Sequence, residues 1–224
     1  MTPPLVEVED LRKAYRDGGA TTHVLTGASF AVERGETVSV VGPSGAGKST
    51  LLSVLAGLTL PDAGVVRFDG RDVTGMSETD RTVLRAHRIG VVLQRDNLIP
   101  FLTAAENVEL AIALAGREQP RAAVDRLLAD LGLPDRGRYL PRRLSGGEAQ
   151  RAAVAVALIN GPDLLLADEV GAELDSTTAR RVLELIVAAS RDRGLAVLLV
   201  THSPALAALT DRRLQVVDGT VVER

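Results

Sequence analysis

Gly42-Pro43-Ser44-Gly45-Ala46-Gly47-Lys48-Ser49 decides how this chain is read. It fits the spacing G-x-x-x-x-G-K-[ST] at every fixed position. A compact β-branched run, Thr37–Val41, precedes it, and residues 48–58 follow with helical spacing of apolar side chains. Glycines let a backbone curl so that its N–H groups point inward at anionic oxygens. The helix that begins there adds its positive end. Lys48 supplies a full charge and Ser49 a hydroxyl. Strand, glycine-rich turn and helix together predict a phosphate-binding loop. Taken without that context, the same residues read as a glycine-rich turn capping a helix.

Working outward, residues 5–8, 23–25, 28–32 and 65–68 read as short β segments, broken by Gly18-Gly19 and Gly64. From 103 to 132 the pattern is helical, with a break at 116–120, and a further helix is expected over 146–159. Residues 163–167 and 195–201 read as buried strands. Ser176–Arg193 reads as an amphipathic helix that Gly194 ends. Ser203-Pro204 is a helix start, and 214–222 a hairpin around Asp218-Gly219. This order points to an α/β core with a parallel sheet, interrupted by a helical subdomain at about 94–161. One domain over 1–224 is expected, with its core in 1–93 and 162–224. No repeat, low-complexity tract or long linker stands out.

Asp163-Leu164-Leu165-Leu166-Ala167-Asp168-Glu169 reads as an apolar strand ending in two carboxylates. At the same sheet edge as the phosphate loop, Asp168 can hold Mg²⁺ and Glu169 can orient and deprotonate a water. Away from such a loop, the pair would read as a solvated strand end.

Composition narrows the classes. The chain has 224 residues, 46% hydrophobic and 25% charged, enough to fill a core. Its net charge of -3 gives no general attraction to nucleic acid. With no cysteine, thiolate catalysis and cysteine-ligated metal sites are excluded. The longest apolar runs, 152–159 and 195–200, fall far short of the roughly 20 residues a bilayer crossing needs. The first residues lack the basic and then apolar pattern of a secretory leader, so a cytoplasmic location is expected. Lys13 and Lys48 are the two lysines of the sequence, which makes the placement of Lys48 more noticeable.

Between the loop and the acidic pair lies Leu144-Ser145-Gly146-Gly147-Glu148-Ala149-Gln150-Arg151. With these residues the chain resembles the ATP-binding cassette (ABC) family, along essentially its whole length. The resemblance implies a P-loop NTPase (RecA-like) core with an N-terminal antiparallel β subdomain and an inserted α-helical subdomain. It implies ATP and Mg²⁺ as ligands. Gly42, Ser44, Gly45, Ala46, Gly47, Lys48, Ser49 and Thr50 match the phosphate loop, and Tyr15 matches the aromatic that stacks on adenine. Gln94 matches the residue that reaches Mg²⁺ and the water, joining Ser49 and Asp168 as metal contacts. His202 matches the histidine that contacts the γ-phosphate, and Glu169 the catalytic carboxylate. Ser145, Gly146 and Gly147 match the segment that binds the γ-phosphate of ATP held by a second subunit. Asp175 matches a loop that crosses between subunits. The implied assembly is a head-to-tail homodimer with two sandwiched ATP molecules.

The run 89–107, which carries Gln94, Asn97, Pro100, Thr103, Glu106 and Asn107, looks like the subgroup serving macrolide export, lipoprotein release and a cell-division complex. That implies a separately encoded permease, docked near residues 94–101, and a place on the inner face of the membrane. Some positions depart from the family. Val170-Gly171 replaces Pro-Thr, so 169–175 is expected to be looser. Glu173 adds a charge, Glu148 replaces a common Gln, and Val156 replaces a common Arg. Two alternatives stay open: a regulatory or mechanical ATPase coupled to a membrane protein without transport, and a soluble ABC ATPase. DNA-maintenance relatives usually insert a coiled coil or zinc module, and neither pattern is present here.

Overall fold

The protein, described here as a computed structural model, is defined over residues 3–94, 97–171 and 176–223. Strand β1 (Val6–Asp17) runs into β2 (Ala20–Val32) through Gly18-Gly19, both at positive φ. Strands β4 (Ala63–Phe68) and β5 (Arg71–Asp72) complete an antiparallel sheet in the order β2-β1-β4-β5. Two long strands therefore stand where the sequence suggested several short ones. Residues 12–17 are mostly exposed and polar, and register shifts interrupt β1 after Val8. No apolar alternation marks that stretch, and the backbone pairing of the hairpin carries it.

The second sheet holds β3 (Thr37–Val41), β6 (Ile89–Val92), β7 (Leu164–Asp168), β8 (Ala196–Val200), β9 (Arg212–Val217) and β10 (Thr220–Glu223). Its order is β10-β9-β3-β8-β7-β6, parallel from β9 to β6, with β10 antiparallel at the edge. Every residue of β7 and β8 is buried. Parallel strands covered on both faces read as continuous apolar runs rather than alternating ones, which is why 163–167 and 195–201 were legible. Each buried Leu or Val of these strands contributes about 1.5–3 kcal/mol.

Helix α1 (Lys48–Leu55) follows the phosphate loop and ends near Gly57, at φ 63°. Helix α2 (Glu78–Arg88) was not legible in the sequence. Most of its side chains are polar, so it has no apolar stripe. Its signal is at the N-terminus, where the Ser77 hydroxyl accepts from the Asp80 N–H. Between β6 and β7 lie α3 (Ala104–Leu114), α4 (Arg121–Asp130), a 3₁₀ turn (Pro141–Arg143) and α5 (Gly146–Leu158). The break between α3 and α4 falls at 116–120, as the sequence indicates. Reciprocal capping boxes start two of these helices, Thr103 with Glu106 on α3 and Ser145 with Glu148 on α5. Helix α6 (Ser176–Arg193) and the short α7 (Pro204–Ala207) flank β8.

Two apolar cores result. One packs α3, α4, α5 and α6 together with Val92, Leu165 and Leu199. The other lies between the two sheets around Leu51, Leu55, Val38 and Leu198. Helix α5 comes so close to β6 that a Cβ on Gly90 would sit 2.5 Å from the Ala157 carbonyl oxygen. Gly90→Ala must push the helix off the sheet, and overpacking of this kind costs about 1–3 kcal/mol. Urea unfolding of Gly90→Ala should show a lower midpoint than the parent chain. An unchanged midpoint would mean that this contact is not tight.

Candidate functional site

Four segments that carry chemistry lie at the C-terminal ends of four parallel strands. Strand β3 leads into the phosphate loop, β6 towards Gln94, β7 to Asp168 and Glu169, and β8 to Thr201 and His202. In an open α/β sheet this edge is where ligands bind. A cavity of about 490 Å³ sits there. Ser44, Gly45, Gly47, Lys48, Ser49, Thr50, Gln94, Glu169 and His202 line it, with Val24 from the β hairpin.

The loop is built for a close approach. Gly47 caps α1 at φ 100°, and a Cβ there would sit 2.7 Å from the Val24 carbonyl oxygen. Glycine alone meets both conditions. Lys48 is 6% exposed, and its Nζ donates to the carbonyls of Gly42 at 3.0 Å and Pro43 at 2.8 Å. An ammonium has three donors, so these contacts leave a third for a ligand at the loop mouth.

Glu169 is held from both sides. Its Oε1 lies 2.9 Å from His202 Nε2, and its Oε2 accepts from Gln94 Nε2 at 3.1 Å. Its backbone N–H donates to the Val200 carbonyl at 3.0 Å, with φ at 52°. A left-handed conformation in a residue with a side chain stores strain that the surrounding contacts must hold. Those contacts continue into the next two residues. Val170 is buried, and a Cβ on Gly171 would meet Leu206 Cδ1 at 2.7 Å. Gly171 thus lies against the Leu206 side chain of α7, and the rest of the segment expected to be looser, residues 172–175, lies outside the described residues. Glu173 and Asp175 lie outside the described residues.

Asp168 sits beneath the cavity, 6% exposed. Burial pushes its carboxyl above the usual range, against the opposing pull of a hydrogen bond from Ser49. The neighbouring Glu169 charge acts in the same direction as burial.

Not every expected residue lines this cavity. Tyr15 stands on the adjoining hairpin, paired with Thr22 and 44% exposed, with Lys13 Nζ 5.6 Å from its ring centroid. Ser145, Gly146 and Gly147 begin α5 and do not line it. Two asparagines that shape the segment after Gln94 had no assigned role in the sequence reading. Asn97 Oδ1 accepts from the Leu93 N–H, and its Nδ2 donates to the Leu93 carbonyl. Asn107, 4% exposed, accepts from Ile99 N–H and donates to the carbonyls of Ile99, Leu102 and Thr103. A lone asparagine in an Ala- and Val-rich helical stretch was the available signal.

Residues 25–172 match the family model described as ABC transporter. The chain belongs to the ABC transporter family. This ABC protein is 42% identical over 217 residues to the lipoprotein-releasing system ATP-binding protein LolD of Porphyromonas gingivalis, covering 96% of this chain and 97% of the relative. It is 40% identical over 226 residues to the macrolide export ATP-binding/permease protein MacB of Marinobacter nauticus, covering all of this chain but 35% of that longer relative. Among solved structures, the dimeric ATP-binding cassette MJ0796 in a post-hydrolysis state bound to ADP and Pi superposes with a TM-score of 0.94 at 34% identity, covering 98% and 97% of the two chains. The fold is that of an ABC ATPase cassette, and the chain is an ATP-binding subunit of that type.

The buried Asp168 makes a prediction about stability. A carboxyl that holds its proton more tightly when folded contributes less to folding as pH rises from its unfolded value through its raised folded one. At neutral pH the charged group therefore weakens the nucleotide-free chain. Asp168→Asn, of the same shape, should raise the melting midpoint of that chain at neutral pH. The gain should shrink as pH falls through the carboxylate range. A lowered midpoint at neutral pH would show that the charge stabilises the fold.

Proposed function

We propose that this ABC ATPase binds Mg-ATP in the phosphate-loop cavity, hydrolyses it with Glu169 as general base, and powers a separately encoded membrane permease. The observation that carries the reading is the Glu169 carboxylate at the cavity wall, clamped between His202 and Gln94.

In this reading the loop N–H groups and the N-terminal end of α1 receive the phosphates, and Lys48 reaches the β- and γ-phosphate oxygens. Tyr15 stacks on adenine from the neighbouring hairpin. Glu169 accepts a proton from the water that attacks the γ-phosphorus, and the bond to the β-phosphate oxygen breaks, leaving ADP and inorganic phosphate. His202 and Gln94, one on each oxygen, fix the orientation of the Glu169 carboxylate towards that water. The donor set suits magnesium: Ser49 Oγ and the Asp168 carboxylate are already bonded to each other, and Mg²⁺ typically takes one or two carboxylates with the remainder water and phosphate oxygens. Ser49, Asp168 and Gln94 would hold it, and when bound it would neutralise charge on the phosphate oxygens.

Ser145, Gly146 and Gly147 lie outside this cavity, which suits a site completed by a second copy. We assign them, with Asp175, to the ATP bound by the partner in a head-to-tail homodimer. The helical segment at about 94–161 would then act as the arm that moves with nucleotide. Phe101, 77% exposed and seven residues after Gln94 in sequence, offers an apolar contact for a permease. No helix among the described residues is long and apolar enough to cross a membrane, so the chain would sit on the inner face of the membrane through that partner. LolD is named as the ATP-binding protein of a lipoprotein-releasing system and MacB as a macrolide export ATP-binding/permease protein, and both names favour coupling of ATP binding to export.

Steady-state kinetics tests the chemistry. Glu169→Gln should lower turnover by about a hundredfold or more while ATP binding is kept, the range expected for loss of a general base. Lys48→Ala should weaken ATP binding by about tenfold or more, through loss of a charge-assisted contact. Unchanged turnover in Glu169→Gln would remove it from the role of base.

A further inference from the structure

The N-terminal end of α5 carries a negative charge where an anion is to be bound. Glu148, on the first turn, accepts the Ser145 N–H at its Oε2, and Ser145 Oγ accepts the Glu148 N–H in return. A carboxylate there stabilises the helix itself. It also opposes the approach of a phosphate to the same turn. Arg136 answers that charge: its Nε donates to Glu148 Oε1 at 2.6 Å. The arginine is held in turn. Its guanidinium carbon lies 5.1 Å from the centroid of the Tyr139 ring, and that of Arg143 lies 4.9 Å from the same ring. The backbone of Tyr139 is tied to α3, its carbonyl accepting the Ala104 N–H at 2.9 Å. Arg136, and after it the Ser145 N–H, hold the Glu148 carboxyl below its usual range.

We infer that Arg136 is a positioning residue for the ATP-driven assembly of two copies, acting by neutralising Glu148 beside Ser145, Gly146 and Gly147. This rests on the reading that those three residues engage the γ-phosphate held by the second copy. Arg136 itself need not touch the nucleotide. The Glu148 carboxylate, left bare, would repel the triphosphate across the interface, while each copy's own phosphate loop would still bind ATP.

Charge removal separates this role from a structural one. Glutamine can close the same capping box without the charge. In the full chain carrying Glu169→Gln, the monomer–dimer equilibrium is followed by sedimentation at increasing Mg-ATP. Arg136→Ala should raise the ATP concentration for half-dimerisation by about tenfold, as loss of a partner to an interfacial charge does. Arg136→Lys should recover part of it. Adding Glu148→Gln to Arg136→Ala should restore assembly to within about twofold of the parent, a coupling that a double-mutant cycle reads directly. Binding of a fluorescent ATP analogue to the monomer should be equal in all of them. The inference is overturned if Arg136→Ala assembles like the parent, or if Glu148→Gln brings no recovery. A parent that stays monomeric at saturating Mg-ATP overturns the two-copy reading and this inference with it.

Discussion

The carboxylate of Glu169, gripped by His202 at one oxygen and Gln94 at the other, joins the ends of three parallel strands. Much of the remaining architecture serves to make that contact possible. Strands β6, β7 and β8 must be neighbours in register, and their buried apolar runs secure it. The left-handed turn at Glu169 must be held, and its N–H does so by donating to the Val200 carbonyl on β8. A charged side chain that is only partly exposed keeps one orientation when both its oxygens are engaged. The site is thus set by backbone pairing and by two side-chain contacts.

The same contact has a mechanical side. Gln94 belongs to a segment anchored at both ends, by Asn97 on Leu93 and by Asn107 on the backbone of residues 99–103. The exposed Phe101 lies between Ile99 and Leu102, two residues whose backbone Asn107 holds. In the proposed cycle, nucleotide at the loop would bias this segment, and a bound permease would feel it.

How much was legible follows from what each feature costs in sequence. The phosphate loop stood out because its fixed residues fall between a strand and a helix; Asp168-Glu169 drew its reading from that loop, and the 144–151 run from its resemblance to a family. The buried parallel strands were plain because both faces are apolar. Helix α2 and the outer half of the β1–β2 hairpin were not, since their side chains are solvated and only backbone pairing and a Ser77 cap define them. The partner of Glu148 could not be read either. Arg136 is twelve residues away and one of many arginines, and folding alone brings it to the carboxylate. Likewise a glycine's freedom and a glycine's small size look the same in sequence, so the contact of Gly171 with Leu206 could not be read there.

The most direct test asks what the chain holds when it is loaded with nucleotide. A tagged Glu169→Gln variant, expressed in the cell of origin, is recovered from detergent-solubilised membranes in Mg-ATP, and its companions are identified by mass spectrometry. The account predicts an integral-membrane protein at stoichiometric yield, lost when Lys48→Ala is added. Recovery of soluble proteins alone, with no membrane protein at comparable yield, would contradict the claim that this ATPase drives a permease.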